Sequence, residues 1–334
     1  MELRLAIWLC TSRCNLACRH CYVAGRFTGP ELTKQEALKM ISELAELGTP
    51  YFSLTGGEPF LRPDVLEVAR EAHELGMAIS FTTNATLIDD EIAKALRALD
   101  AYVFVGLDGP DREVCDAVRG RGVWRETIKG ITRLRSYGVD FSVVMTISAL
   151  TYGQGRKHVL FCEAVGADEA VLLPLIPAGR ARRGGLMPNP GQVVKCISDV
   201  EETVEEIGFE ACVWCAPFLA HVVKSRRVYV FPCPDDVMDI SPEGDVLFCD
   251  TLNFRITNVR EGVEKAWKSY EAFRDAFLEE RDISRMPSCA DCPVRDFCQG
   301  GCVARALLSK GDLRAPDPLC PRASGLDRGF NSPP

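Results

Sequence analysis

Cys14-Asn-Leu-Ala-Cys18-Arg-His-Cys21 follows directly on the apolar run Leu3–Trp8. Three thiolates in one short loop can hold three irons of a cubane cluster and leave the fourth iron open to a chelating ligand. A structural zinc site wants four ligands, and this loop supplies three. Cys10 is the nearest further thiol. It sits in or beside the apolar run, where a small cysteine packs as core.

Working outward, apolar runs alternate with helical patterns as far as residue 176 or so. The expected strands are Leu3–Trp8, Tyr51–Leu54, Ala78–Phe81, Ala101–Leu107, Val139–Ile147 and Glu169–Pro174. They are rich in β-branched and aromatic residues, and several are continuously apolar, as strands buried on both faces of a parallel sheet are. The helices between them carry their own start signals. Thr33-Lys-Gln-Glu36 reads as a capping box, and further helices follow Pro63-Asp64 and Asp89. Six such units predict an α/β fold, a parallel barrel or open sheet.

The cysteine loop after the first strand, in C-x3-C-x2-C spacing, resembles the radical S-adenosylmethionine (SAM) superfamily. Gly56-Gly57-Glu58-Pro59, straight after the second strand, is similar to that family's motif for the methionyl amino group. Glycines let a backbone approach a ligand, and Glu58 can accept from an ammonium. Thr82-Thr83-Asn84 resembles the ribose-contacting end of the third strand. Gly106-Leu107-Asp108-Gly109 resembles the family's S-L-D-G, with Gly106 where serine is usual. Arg119 lies where the family often places an arginine near the SAM carboxylate. His20 stands at the position of an aromatic residue that stacks near adenine, beside Tyr22; contact with a cluster sulfide and plain packing are its alternatives. The resemblance implies a partial (β/α)6 TIM-like barrel with its chemistry at the C-terminal strand ends. It also implies Cys14, Cys18 and Cys21 on a [4Fe–4S] cluster. SAM would be cleaved reductively there to a 5′-deoxyadenosyl radical that takes hydrogen from a substrate.

A second constellation runs Cys233-x10-Gly244-x4-Cys249, then Cys289-x2-Cys292-x5-Cys298-x3-Cys302-x17-Cys320. It resembles the SPASM auxiliary-cluster domain over the whole module. The resemblance implies one cluster on Cys289, Cys292, Cys298 and Cys320, and a nearer one on Cys233, Cys249 and Cys302. The fourth ligand of the nearer cluster is open: Cys212 or Cys215, a carboxylate such as Asp235, or no protein group. The expectation is that Cys212 or Cys215 completes it. Asp250, next to Cys249, matches a proton-accepting aspartate of sulfatase-maturing relatives. The expected organisation is a radical SAM core over 1–190, a bridge over 191–232 and the SPASM module over 233–334.

The chain has 334 residues, 16 cysteines and a formal net charge of -8. An acidic chain without a basic tract does not suit nucleic acid. No signal peptide or membrane span is legible, so a cytoplasmic protein is expected, in a compartment where thiols bind metal and do not form disulfides. The resemblance implies a maturase that oxidises or crosslinks a peptide or protein, supplied with electrons by a ferredoxin or flavodoxin. A tetrapyrrole or other cofactor-biosynthetic enzyme is the alternative. Pro177-Ala-Gly-Arg180 resembles a segment of the haem-pathway and mycofactocin branches, and Arg180, Arg182 and Arg183 together can hold carboxylates. No winged-helix peptide-recognition domain is expected ahead of Cys14. A reading of another class is a non-catalytic iron–sulfur electron carrier or zinc protein, against which the intact Gly56–Pro59 motif argues.

Overall fold

The computed structural model describes residues 2–326. The last stretch of the expected SPASM module, residues 327–334, lies outside the described residues. The strands are β1 (Leu5–Thr11), β2 (Tyr51–Gly56), β3 (Ala78–Thr83), β4 (Tyr102–Gly106), β5 (Phe141–Ile147), β6 (Ala170–Pro174), β7 (Ala211–Val213), β8 (Val228–Val230), β9 (Val237–Ile240), β10 (Asp245–Leu247) and β11 (Arg255–Asn258). The α-helices between β1 and β6 are α1 (Lys34–Glu46), α2 (Val65–Glu74), α3 (Asp90–Ala98), α4 (Arg112–Arg119), α5 (Val123–Ser136) and α6 (Gly155–Val165). Beyond them lie α7 (Pro190–Ile207), α8 (Val263–Glu280), α9 (Arg295–Cys298), α10 (Val303–Lys310) and α11 (Pro321–Ser324).

All the strands join one sheet in the order β11-β10-β9-β1-β2-β3-β4-β5-β6-β7-β8. Every pairing from β9 through β8 is parallel. Only β10 runs against its neighbours β9 and β11. The six expected strands are present. The parallel arrangement explains their apolar character: β5 buries all but one of its residues. The Thr33 side chain accepts from the Glu36 amide while Glu36 reaches back to the Thr33 N–H, so the first helix begins at its capping box. Trp8, Phe52 and Phe81 are among the largest fully buried side chains of the core.

Two features extend the six-unit plan. Residues 191–232 do more than bridge: β7 and β8 lengthen the parallel sheet at one edge. At the other edge β9, from the cysteine-rich module, pairs with β1 from Leu5↔Val237 to Trp8↔Ile240. That module is therefore hydrogen-bonded into the same sheet. No helix among the described residues is long and apolar enough to cross a membrane.

Candidate active site and cluster sites

Because β1 to β6 are parallel, the loops after their C-terminal ends gather at one end of the sheet. The loop after β1 carries Cys14, Cys18 and Cys21, and backbone contacts hold it in shape. The Gly57 amide donates to the Thr11 carbonyl at 2.7 Å and the Glu58 amide to that of Arg13 at 2.8 Å. A Cβ on Gly57 would lie 2.0 Å from the Arg13 oxygen, so only glycine allows this approach. From the other side Arg180 N donates to Cys21 O at 2.9 Å.

The ends of β2 and β3 meet at Glu58, which is fully buried. Its carboxyl accepts from the Thr83 hydroxyl at 2.7 Å, the Asn84 amide at 2.9 Å and the Phe60 amide at 3.4 Å. Burial raises its pKa from 4.5 to about 7, against the pull of those bonds. Asn84 turns its side chain to Asn15, at 2.9 Å, and to the Cys14 sulfur, at 3.9 Å. Thr83 and Glu58 thus form a buried joint behind the cysteine loop, and Asn84 reaches the loop itself.

Asp108, at the end of β4, is a second joint. Its carboxylate accepts from Arg119 Nε at 2.7 Å, His20 Nε2 at 2.9 Å and the Thr146 amide at 2.9 Å. These partners overcome burial and hold its pKa well below the usual carboxylate range. Gly106 makes room for this arrangement. A Cβ there would lie 2.8 Å from both terminal nitrogens of Arg119, so the guanidinium lies where the family's serine side chain would stand. His20 Nδ1 is buried with no hydrogen-bond partner among the described residues. Arg119 and Asp108 sit close enough to Cys18 to act on its thiol, which burial lifts to about 11.

The three arginines after β6 separate. Arg182 and Arg183 are exposed, while Arg180 is half-buried and its Nε has no hydrogen-bond partner among the described residues. Its amide bond to Cys21 O places it beside the first cysteine set.

None of the sixteen cysteines is paired in a disulfide. Cys289, Cys292, Cys298 and Cys320 line one cavity with Phe218 and Val294. Cys215, Cys233, Cys249 and Cys302 form another neighbourhood: burial first, and then the nearby Cys302, push the thiols of the other three upward. Cys212 is not among them. It packs in β7 against Val144 and Val171. Asp235, the carboxylate alternative, has its side chain within 3.5 Å of Arg274. Cys10, Cys115, Cys162 and Cys196 are buried, as core residues are. In donor type and grouping, an open set of three thiols and two sets of four fit iron–sulfur clusters.

Asp250 lies between the two constellations. Arg26 Nη1 joins the two chain segments, donating to the carbonyl of Tyr22, next to Cys21, at 3.4 Å, as well as to that of Asp250. Asp239 Oδ2 accepts the Asp250 amide at 2.7 Å, and ligand atoms of Asp239, Cys249 and Asp250 lie within 4.8 Å of one another. Burial and the nearby Asp250 push Asp239 upward. Arg26 fastens the corner by donating to the carbonyls of Asp250, at 2.5 Å, and Leu252, at 2.6 Å. Asp239 and Arg26 belong to no motif, and nothing in their local sequence marked them.

The model of the radical SAM superfamily matches residues 8–160, and that of an iron–sulfur cluster-binding domain, SPASM, matches 232–293. The AdoMet-dependent heme synthase of Methanosarcina barkeri is 30% identical over 340 residues, covering 95% of this chain and 96% of that protein. The mycofactocin maturase MftC of Mycobacterium tuberculosis is 29% identical over 325 residues, covering 94% and 81%. In fold, the chain resembles the solved structure of native anSMEcpe with bound AdoMet and Cp18Cys peptide. The TM-score is 0.77 at 19% identity, over 97% of this chain and 95% of that one. The chain thus belongs to the radical SAM superfamily, in the branch that carries a SPASM domain, and is an enzyme that uses SAM and iron–sulfur clusters.

Proposed function

We propose that this chain abstracts a hydrogen atom from a carboxylate-bearing peptide or protein, using three [4Fe–4S] clusters. Cys14, Cys18 and Cys21 would hold the cluster that binds SAM. Cys289, Cys292, Cys298 and Cys320 would hold the distal auxiliary cluster, and Cys233, Cys249 and Cys302 three corners of the nearer one. When bound, SAM and the first cluster supply a 5′-deoxyadenosyl radical, which is the cofactors' part of the chemistry. The observation that carries the reading is the bridge made by Arg26 Nη1, which donates to the carbonyls of both Tyr22, at 3.4 Å, and Asp250, at 2.5 Å. It ties the residue beside Cys21 to the residue beside Cys249, so substrate between them would meet both cluster regions.

The protein's own residues then have separable tasks. The backbone of Gly56 and Gly57 and the joint at Glu58 shape the wall for the methionyl end of SAM. Asn84, Gly106 and Asp108 line its nucleoside side, with His20 and Tyr22 on the cysteine loop. Arg119, held by Asp108, presents its terminal nitrogens to an anion. The Asp250 carboxylate would accept a proton from substrate, with the Asp250 backbone held by Arg26 and Asp239. Arg180 offers a carboxylate of the substrate a charged partner. A ferredoxin or flavodoxin would supply electrons, and the free thiol sets suit the reducing cytoplasm. We further propose the division into a core over 1–190, a bridge over 191–232 and an auxiliary-cluster module from 233.

Tetrapyrrole chemistry is the second reading, favoured by 30% identity to the heme synthase over nearly the full chain. Porphyrins also carry carboxylates that Arg180 could take. The test is anaerobic turnover of the reconstituted, dithionite-reduced protein with iron-coproporphyrin in one arm. A synthetic precursor peptide, taken from any short gene beside its own, is the other. 5′-Deoxyadenosine above the substrate-free level, with a mass change in the peptide, supports the first reading. The same result with the porphyrin alone moves the assignment to the second. No SAM cleavage in any arm overturns both.

A further inference from the structure

Cys212 and Cys215 stand three positions apart, yet the fold treats them differently. Cys212 lies within β7, 2% exposed, among Val144, Val171, Phe104 and Trp214. Cys215 follows the strand with φ of +53°, a backbone state that costs a residue with a Cβ about 1–3 kcal/mol and clusters at functional sites. That turn takes Cys215 out of the apolar layer. Cys215 and Cys233 are the two exposed cysteines of the sixteen, although free cysteine is among the most buried residue types.

What holds Cys215 there is a fully buried residue of the auxiliary-cluster module. Arg305 donates from Nη2 to the carbonyls of Cys215, at 3.1 Å, and Pro174, at 2.9 Å, and from Nε to that of Leu175, at 3.1 Å. The Arg305 amide donates to the Cys302 sulfur at 3.4 Å. One residue thus fixes both Cys302 and the Cys215 turn. Asp317 pairs with its guanidinium and also accepts the Cys302 amide at 3.0 Å.

We propose that Cys215 is the fourth ligand of the nearer auxiliary cluster, that Cys212 is not a ligand, and that this cluster has no iron free to bind substrate. The proposal rests on the three-cluster reading above. Four thiolates from Cys215, Cys233, Cys249 and Cys302 saturate a [4Fe–4S] cubane. Substrate is then held by side chains, not by auxiliary iron.

The test uses the full chain with Cys14, Cys18 and Cys21 changed to Ala, which removes the SAM-cluster ligands. After anaerobic reconstitution this background should hold about eight irons, at four per cluster, with EPR spectra that cyanide leaves unchanged. Adding Cys212→Ala should alter neither. Adding Cys215→Ala should either lower iron to about four per chain or leave a cluster whose spectrum shifts with cyanide. Cys215→Ser, which keeps an oxygen donor, should hold its iron with altered g-values and guards against a misfolded alanine variant. The proposal is overturned if Cys215→Ala matches the background in iron, spectrum and cyanide response, or if Cys212→Ala loses a cluster. A background that takes up zinc in place of iron overturns the three-cluster reading itself, and the assignment falls with it.

Discussion

A single oxygen of Asp108, Oδ2, lies 2.9 Å from Nε2 of His20 and 2.7 Å from Nε of Arg119. It thereby ties the cysteine loop after β1 to the helix that follows β4. Breaking a buried ion pair by neutralising one partner costs about 3–5 kcal/mol, because the other charge stays buried. Asp108→Asn should lose about that much in a denaturant titration and should weaken SAM binding by the reconstituted protein. Unchanged stability and SAM affinity would mean that neither His20 nor Arg119 depends on this carboxylate.

Gly106→Ser restores the residue usual in the family, yet here it should do harm. The added Cβ would meet the Arg119 guanidinium at 2.8 Å. Overpacking of this kind costs about 1–3 kcal/mol. The expected outcome is a lower melting temperature and a raised Kd for SAM. A variant that binds SAM as well as the parent would show that Arg119 is free to move aside.

Glu58 gives the fold a pH dependence of its own. Its pKa is raised to about 7 from 4.5, so the folded chain binds this proton more tightly than the unfolded chain does. The stability it contributes is complete below about pH 4.5 and is lost as pH rises through about 7. The loss is about 3 kcal/mol in all, at 1.36 kcal/mol per pKa unit. Comparing unfolding of the parent and Glu58→Gln from pH 4.5 to 8 checks this. The parent should lose more stability over that range, and parallel curves would refute the assignment.

Arg180→Gln should raise the KM for substrate by about 10- to 100-fold, the loss of a hydrogen bond to a charged group. Binding of SAM should move far less. If SAM affinity falls and substrate affinity does not, Arg180 serves the SAM carboxylate instead.

Asp250→Asn separates proton transfer from radical formation. Removing a general base typically lowers turnover by about 10²–10⁴-fold. Substrate turnover should fall within that range, while the reduced protein still cleaves SAM. Full turnover by the asparagine variant would remove Asp250 from the chemistry.

Much of this molecule could be read from its residues. β1 to β6 are runs of five to seven residues, long enough for their apolar, β-branched character to stand out. The cysteine sets were legible because their spacing along the chain matches motifs of the family. β7 to β11 are three or four residues long and carry no periodicity, so their places in the sheet depend on partners far away. The fit of Arg119 over Gly106 is a contact across 13 positions that neither residue announces. Cys212 and Cys215 looked equivalent as C-x2-C; a left-handed backbone turn and the distant Arg305 tell them apart. Asp239 and Arg26 acquire meaning only when β9 docks beside β1.

That docking has a consequence for electron flow. β1 leads into the loop of the first cysteine set, and β9 lies between Cys233 and Cys249 of the second; the two strands share a four-residue parallel ladder. Tunnelling between redox centres depends steeply on their separation, and clusters held by these two cysteine sets would have theirs set by a lattice of backbone hydrogen bonds. They would sit as stations on one rail: the hop between them would have a fixed length and wait for no hinge to close.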